Sequence, residues 1–164
     1  MTRSLVFAVA IMFSAGAVAA APSGRTYVNA RFGYVLTYPA SLVAEREADN
    51  GDGRVFHPRD GGAGRVRVWG AYNALEESPD QIADQAVEEC QGAPVAYRVA
   101  KAGLVAVSCA HGGEVFYQKT LIRGDVVTTL QVTYPAAERG AWEPMVKALA
   151  ASLRPAAWLS GRHY

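Results

Sequence analysis

The sequence predicts an α+β domain: an antiparallel sheet of about six to seven strands flanked by two main helices, an α/β/α sandwich. Three observations predict it. Short runs rich in β-branched and aromatic residues recur between glycine turns. Two segments, one near 78–90 and one near 141–153, instead carry apolar residues at helical spacing. No internal repeat or second domain boundary interrupts the order of strands, helix, strand meander and helix.

The first twenty residues read as a signal peptide. Arg3 supplies the positive end, Leu5 to Phe13 the apolar stretch, and Ala17-Val18-Ala19 or Val18-Ala19-Ala20 the small-residue cleavage pattern, with the cut after Ala19 or Ala20. The apolar run is short for a spanning helix of about 20 residues, and no later segment is long and apolar enough to span. The expected product is periplasmic or secreted, with one α+β domain over 21–155 and a flexible tail over 156–164.

Residues 21–25 form a loose lead, and the stretch from Tyr27 to Gly33 is aromatic and polar with a turn glycine. Tyr34 to Tyr38 reads as a strand stopped by Pro39. Leu42 to Glu47 fits a short strand or an irregular run. Asp49 to Gly53 is the densest turn signal in the chain and leads into a strand over Arg54–His57. Pro58 to Gly64 is a flexible hairpin tip. Arg65 to Gly70 alternates, with Val66 and Val68 on one face and Arg65, Arg67 and Trp69 on the other.

Ser78-Pro79-Asp80-Gln81 opens a helix with a capping box and a proline at its first position. Ile82, Ala83, Ala86, Val87 and Cys90 form its apolar stripe, and Gly92 with Pro94 ends it. Four strands follow: Val95–Lys101, Leu104–Cys109, Val115–Ile122 and Val126–Tyr134. Gly112-Gly113 and Gly124-Asp125 are two-residue hairpin turns. Such turns place Val115, Tyr117, Leu121, Leu130, Val132 and Tyr134 on one face, and Cys109, Phe116, Gln118, Thr129 and Gln131 on the other. The last helix runs from about Ala141 to Ser152, with Trp142, Met145, Val146, Leu149 and Leu153 as its buried stripe.

The formal net charge of +1 excludes a broad electrostatic footprint for nucleic acid. Without the leader, 15 of the 16 basic residues remain against 15 acidic ones. Two cysteines, Cys90 and Cys109, favour a structural disulfide in an exported chain; the alternative is two buried thiols.

Further along the reading, Tyr27-x-Asn29-x-x-Phe32-Gly33-Tyr34, Tyr38-Pro39, Asn50-Gly51-Asp52-Gly53, Phe116-Tyr117 and Tyr134-Pro135 together resemble small exported bacterial proteins of the PsbP-like fold. The resemblance covers most of the mature chain. It implies a sheet with helices on both sides and an accessory or binding role, as in photosystem extrinsic subunits and a nuclear protein that binds a small GTPase. The matching residues are turn and core positions, so no functional residue is carried over.

Candidate chemistry is sparse. Asn50, Asp52 and Gly53 fit positions three, five and six of a calcium loop, but Ala48 and Arg59 stand where its first and last carboxylates belong. A looser calcium site using Asp49 and Asp52 is one alternative; a glycine turn before a strand is the plainer one. His57 and His111 offer general-base chemistry only if the fold assembles a hydrolase-type site around one of them; with His163 they have no metal-ligand spacing. Arg65, Arg67 and Trp69 on one strand face suit a protein or glycan contact. The expected function is an exported accessory or binding module, monomeric and without cofactor. Its partner would be a protein or small ligand of the cell envelope.

Overall fold

The computed structural model describes residues 24–157. The expected signal peptide, most of the expected tail and His163 lie outside them. The elements are β1 (Gly24–Asn29), β2 (Tyr34–Pro39), β3 (Leu42–Ala44), β4 (Gly53–Pro58), β5 (Arg65–Tyr72), α1 (Pro79–Glu88), β6 (Val95–Lys101), β7 (Leu104–His111), β8 (Glu114–Arg123), β9 (Val126–Pro135), α2 (Arg139–Ser152) and β10 (Arg154–Pro155). A seven-stranded sheet runs β3-β4-β5-β9-β8-β7-β6, and a second sheet of three strands runs β1-β2-β10. All pairings are antiparallel.

The α+β reading and the strand count of the main sheet agree with this architecture. The second sheet is a departure. The sequence assigns no strand within the aromatic and polar stretch Tyr27–Gly33, yet β1 runs to Asn29 and pairs with β2 from Gly24↔Pro39 to Asn29↔Tyr34. Gly24 and Arg25 are therefore strand rather than loose lead. At the other end, Arg154 and Pro155 pair with Val35 and Tyr34. Ala156, assigned to the tail, is fully buried and donates its N–H to the Gly33 carbonyl at 2.8 Å. Pro155 does stop the helix, but it does so by entering a strand.

The turns fix the register of the meander. Gly112, Gly113 and Gly124 all take positive φ, as primed two-residue hairpins require. His111 then faces Glu114, and Arg123 faces Val126. The expected division of faces follows. On one face Val115, Leu130, Val132 and Tyr134 pack with Phe56, Val66 and Val68 against the small sheet and α2. On the other, Val105, Val107, Cys109 and Phe116 pack under Ile82, Ala83, Ala86 and Cys90 of the α1 region. β6 alone breaks its alternation: a bulge at Ala96 shifts the pairing from Val95↔Cys109 to Tyr97↔Ser108.

α1 opens as its sequence predicts. The Ser78 hydroxyl accepts from the Gln81 N–H at 3.3 Å, and the Gln81 side chain accepts from the Ser78 N–H at 2.8 Å. The Cys90–Cys109 disulfide ties its C-terminal end to β7, with Cα atoms 5.9 Å apart. Arg98 on β6 holds its N-terminal half, donating to Asp80 and Asp84 at 3.0 Å each. α2 starts two residues earlier than Ala141. It is locked to β2 through Ser152, whose hydroxyl donates to the Thr37 carbonyl at 2.8 Å and accepts from the Thr37 N–H at 3.1 Å.

The loop over 58–64 is not a free hairpin tip. A Cβ on Gly64 would lie 2.2 Å from the Trp142 ring, so only glycine lets the backbone cross that indole.

Candidate functional site

α1 covers the β6–β7 side of its face of the main sheet and leaves the β5–β9–β8 side open. The exposed pattern there comes from strand alternation: Val66 and Val68 are buried, while Arg65, Arg67 and Trp69 point the other way. Pairing with β9 then sets Arg67 opposite Gln131 and Trp69 opposite Thr129. Pairing of β9 with β8 adds Gln118 beside Gln131 and Thr120 beside Thr129.

The result is a groove of about 490 Å³ between this polar strip and α1. Its sheet side carries Arg67, Trp69, Gln118, Thr120, Thr129 and Gln131. Its helix side carries Glu77, Gln85 and Glu89. The Arg67 guanidinium sits 5.3 Å from the centre of the Trp69 ring and donates to the Gln131 amide oxygen at 3.4 Å. The Thr120 and Thr129 hydroxyls are 3.0 Å apart and buried. The groove therefore presents an aromatic face, a cation, two amides and opposing carboxylates to whatever enters it. Tyr72 and Leu75, both exposed, stand beside it and add apolar surface.

Arg67 and Trp69 also border a second depression of about 500 Å³ on the β4 side, which Asp52 lines together with Glu45 and Arg54. The structure thus brings Asp52 together with Arg67 and Trp69. Asp49 and Arg65 line neither depression.

The loop from Asp49 to Gly53 anchors the small sheet. Asn29, fully buried on β1, donates to the Gly51 carbonyl at 2.9 Å and to the Tyr27 hydroxyl at 3.0 Å; its own oxygen accepts from the Phe32 N–H at 2.8 Å. Arg31 donates to the Asn50 carbonyl. The Tyr34 hydroxyl donates to the Asp52 carbonyl at 2.9 Å. Three loop carbonyls that a cation would need already face protein donors. The Asp49 carboxylate is paired with Arg46, and that of Asp52 accepts from the Asn50 amide at 2.7 Å. Among the described residues no group of three or more His, Cys, Asp or Glu side chains is placed to share a metal ion.

The two histidines are held apart. His57 lies on β4, with Nδ1 3.5 Å from a Glu45 carboxylate oxygen, and His111 ends β7. Four strand spacings separate those strands, about 19 Å at roughly 4.8 Å each. Neither lines the two depressions that flank Trp69.

Burial raises the pKa of Tyr27 and Tyr34 above the ordinary phenol value; Glu47 adds to both shifts, and Tyr27 adds to that of Tyr34, whereas hydrogen bonds with Asn29 and Tyr34 partly offset that of Tyr27. Tyr117 is raised by burial and then by Tyr97. Burial lowers that of Lys119, which donates to the Ala150 carbonyl at 2.6 Å. These groups brace the core rather than line the groove.

Sequence reading alone named Arg67 and Trp69 but missed what surrounds them. Gln118, Thr129 and Gln131 were placed on one face of the meander, yet nothing local in the sequence sets β5 beside β9. The signal that could have joined them is that both strands carry polar residues opposite a valine-rich face.

No protein-family model and no curated protein matches the sequence. Solved structures do. The solution structure of cyanobacterial PsbP (CyanoP) from Synechocystis sp. PCC 6803 aligns with a TM-score of 0.63 at 12% identity, over 88% of this chain and 98% of that one. The fold is PsbP-like. The Ran-binding protein Mog1p of Saccharomyces cerevisiae aligns at a TM-score of 0.56 and 10% identity, over 82% and 96% of the two chains. A crystal structure from Bacteroides thetaiotaomicron aligns at 0.52 and 16% identity, where this chain covers 51% of the other. At these identities the PsbP-like fold is the shared property. Among the described residues no helix is long and apolar enough to cross a membrane.

Proposed function

We propose that this protein is an exported, non-catalytic accessory or binding module that meets its partner on the Arg67–Trp69 face of the main sheet. The observation that carries the reading is the uncovered groove itself. An exposed arginine rests on a half-buried tryptophan, two amides and two hydroxyls lie beside them, and α1 forms a wall rather than a lid. Tryptophan and arginine are the residues most often found at binding hot spots. Export is supported by the leader pattern at residues 1–20 and by the disulfide. Mog1p, described as a Ran-binding protein, offers one precedent for a domain of this fold that works by contact. The partner is a polar molecule of the cell envelope, and Asp52 extends the contact surface on the β4 side.

A photo-reactive side chain placed at Gln131 tests this in cells. A cross-linked species should form there and not at Lys147, which is exposed on α2 across the sheet. It should be lost when Trp69→Ala and Arg67→Ala are combined, a change expected to weaken binding at least about tenfold. Cross-linking at 147 alone, or capture that survives the double change, would refute the assignment. N-terminal sequencing of the purified protein checks export: the chain should begin at Ala20 or Ala21.

A further inference from the structure

A second concavity lies on the opposite side of the main sheet, between β2, the β2–β3 turn, the 58–64 loop and the outer side of α2. It encloses about 930 Å³, within the range of small-molecule sites. Its lining is largely apolar: Tyr38, Leu42 and Trp142 are buried at its base, and Pro39, Met145 and Ala148 form its sides. Gly64 packs directly on the Trp142 ring and so ties the 58–64 loop to α2.

The charge at its rim is of one sign. Among the described residues the charged side chains lining the cleft are Asp60 and Glu138, both exposed. Asp60 accepts from the Gly62 N–H at 3.0 Å, and Glu138 from the Trp142 indole N–H at 3.0 Å. Each carboxylate keeps further acceptor capacity. Of the cations near it, Arg59 donates to the Ala40 carbonyl at 3.1 Å and Arg139 pairs with Glu143 at 3.5 Å, while Arg25, opposite Tyr38 on β1, does not line the cleft. The Tyr38 and Trp142 rings are themselves covered, Tyr38 by Phe56 at 4.6 Å and Trp142 by Tyr134 at 5.4 Å and by Gly64, so they add apolar floor to the cleft.

We infer that this cleft binds a small amphiphile, an apolar body carrying a cationic amine or quaternary ammonium group. The apolar base takes the body, and the two rim carboxylates take the head. An anionic head would meet Asp60 and Glu138 unfavourably, and a neutral head would gain no charge attraction from them. The site shares no lining residue with the Arg67–Trp69 groove, so the two readings stand or fall separately.

Titration calorimetry with decyltrimethylammonium, decyl maltoside and decyl sulfate, each below its micelle-forming concentration, tests the inference. The ammonium compound should bind about fivefold or more tighter than the sulfate, as expected for two exposed carboxylates. Combining Asp60→Asn with Glu138→Gln should bring that ratio close to one while leaving decyl maltoside binding unchanged. Ala148→Phe, on the exposed side of α2, should weaken all three, with its thermal midpoint confirming the fold. In the unaltered protein, the Met145 methyl and Trp142 indole resonances should shift on titration and those of Trp69 should not. Equal or tighter binding of the sulfate, no binding of any probe, indifference to Ala148→Phe, or shifts centred on Trp69 would each overturn it.

Discussion

Asn29 is a small side chain with a large structural role. It is fully buried, and its amide spends both ends on backbone: the nitrogen on the Gly51 carbonyl, the oxygen on the Phe32 N–H. One residue thus closes the β1–β2 turn and pins the Asp49–Gly53 loop to it. Asn29→Ala leaves a buried N–H and a partly buried carbonyl without their partner, a loss of about 2–3 kcal/mol. Urea denaturation should show a lower midpoint with an unchanged slope; a midpoint within error of the parent would mean that water or a shifted loop replaces the amide. In the sequence Asn29 was visible only as part of an aromatic motif. Its role depends on a loop 22 residues away, and contacts at that separation leave no local pattern. Arg67 and Trp69 were legible because strand alternation alone sets them opposite Val66 and Val68.

At the scale of elements, α1 is the piece whose placement controls the groove. Its start is encoded locally by the Ser78–Gln81 capping box. Its position on the sheet comes from three distant ties: the Arg98 contacts with Asp80 and Asp84, the packing of Ile82, Ala83 and Ala86 on Val105 and Val107, and the Cys90–Cys109 bond. The cysteines close a loop of 19 residues, and removing such a cross-link costs about 3 kcal/mol in chain-entropy terms. Combining Cys90→Ala with Cys109→Ala should lower the thermal midpoint. It should also raise amide hydrogen exchange across Pro79–Glu88 more than across β9, because the helix loses its covalent tie while the sheet keeps its ladder. Uniform loosening of helix and strand would show instead that the bond stabilises the whole fold rather than seating α1. The elements the sequence hid were β1 and β10. Each is an edge strand of a small second sheet, and β10 spans only Arg154–Pro155, too short to carry an alternation of its own.

Across the whole molecule, the main sheet was readable from its turns, whereas the packing of one sheet and one helix onto it was not. Glycine pairs fixed the β7–β8–β9 register from within the sequence. The union of β1, β2, α2 and the main sheet instead rests on an aromatic core drawn from separated stretches. The Tyr27, Tyr34, Tyr38 and Phe56 rings meet at its centre, and Tyr134 stacks on Trp142. That core sets a prediction for the entire protein. Burial, the leading cause in each case, raises the pKa of Tyr27, Tyr34, Tyr117 and Tyr134 above the ordinary value of 10.0. Below about pH 10 these phenols are neutral in both states, so their stabilisation is fully present there. As pH rises further, the unfolded chain gives up its phenol protons while the folded chain keeps them. The folded state then binds more protons and stability falls, by at most about 1.4 kcal/mol per pH unit for each tyrosine. Lys119 acts in the opposite sense: its lowered pKa makes the unfolded chain the better proton binder below its ordinary value of 10.5, so stability rises slightly with pH in that interval. Urea midpoints should therefore change little up to about pH 10 and drop steeply above it. Tyr34→Phe removes one of the four titrations and the hydroxyl shared between the Asp52 carbonyl at 2.9 Å and the Val68 carbonyl at 3.4 Å, while the Asp52 carbonyl still accepts from the Gly70 N–H at 2.9 Å. The variant should start slightly less stable at neutral pH and lose stability less steeply above pH 10, so that the two curves converge. Parallel curves would place the alkaline sensitivity outside the aromatic core.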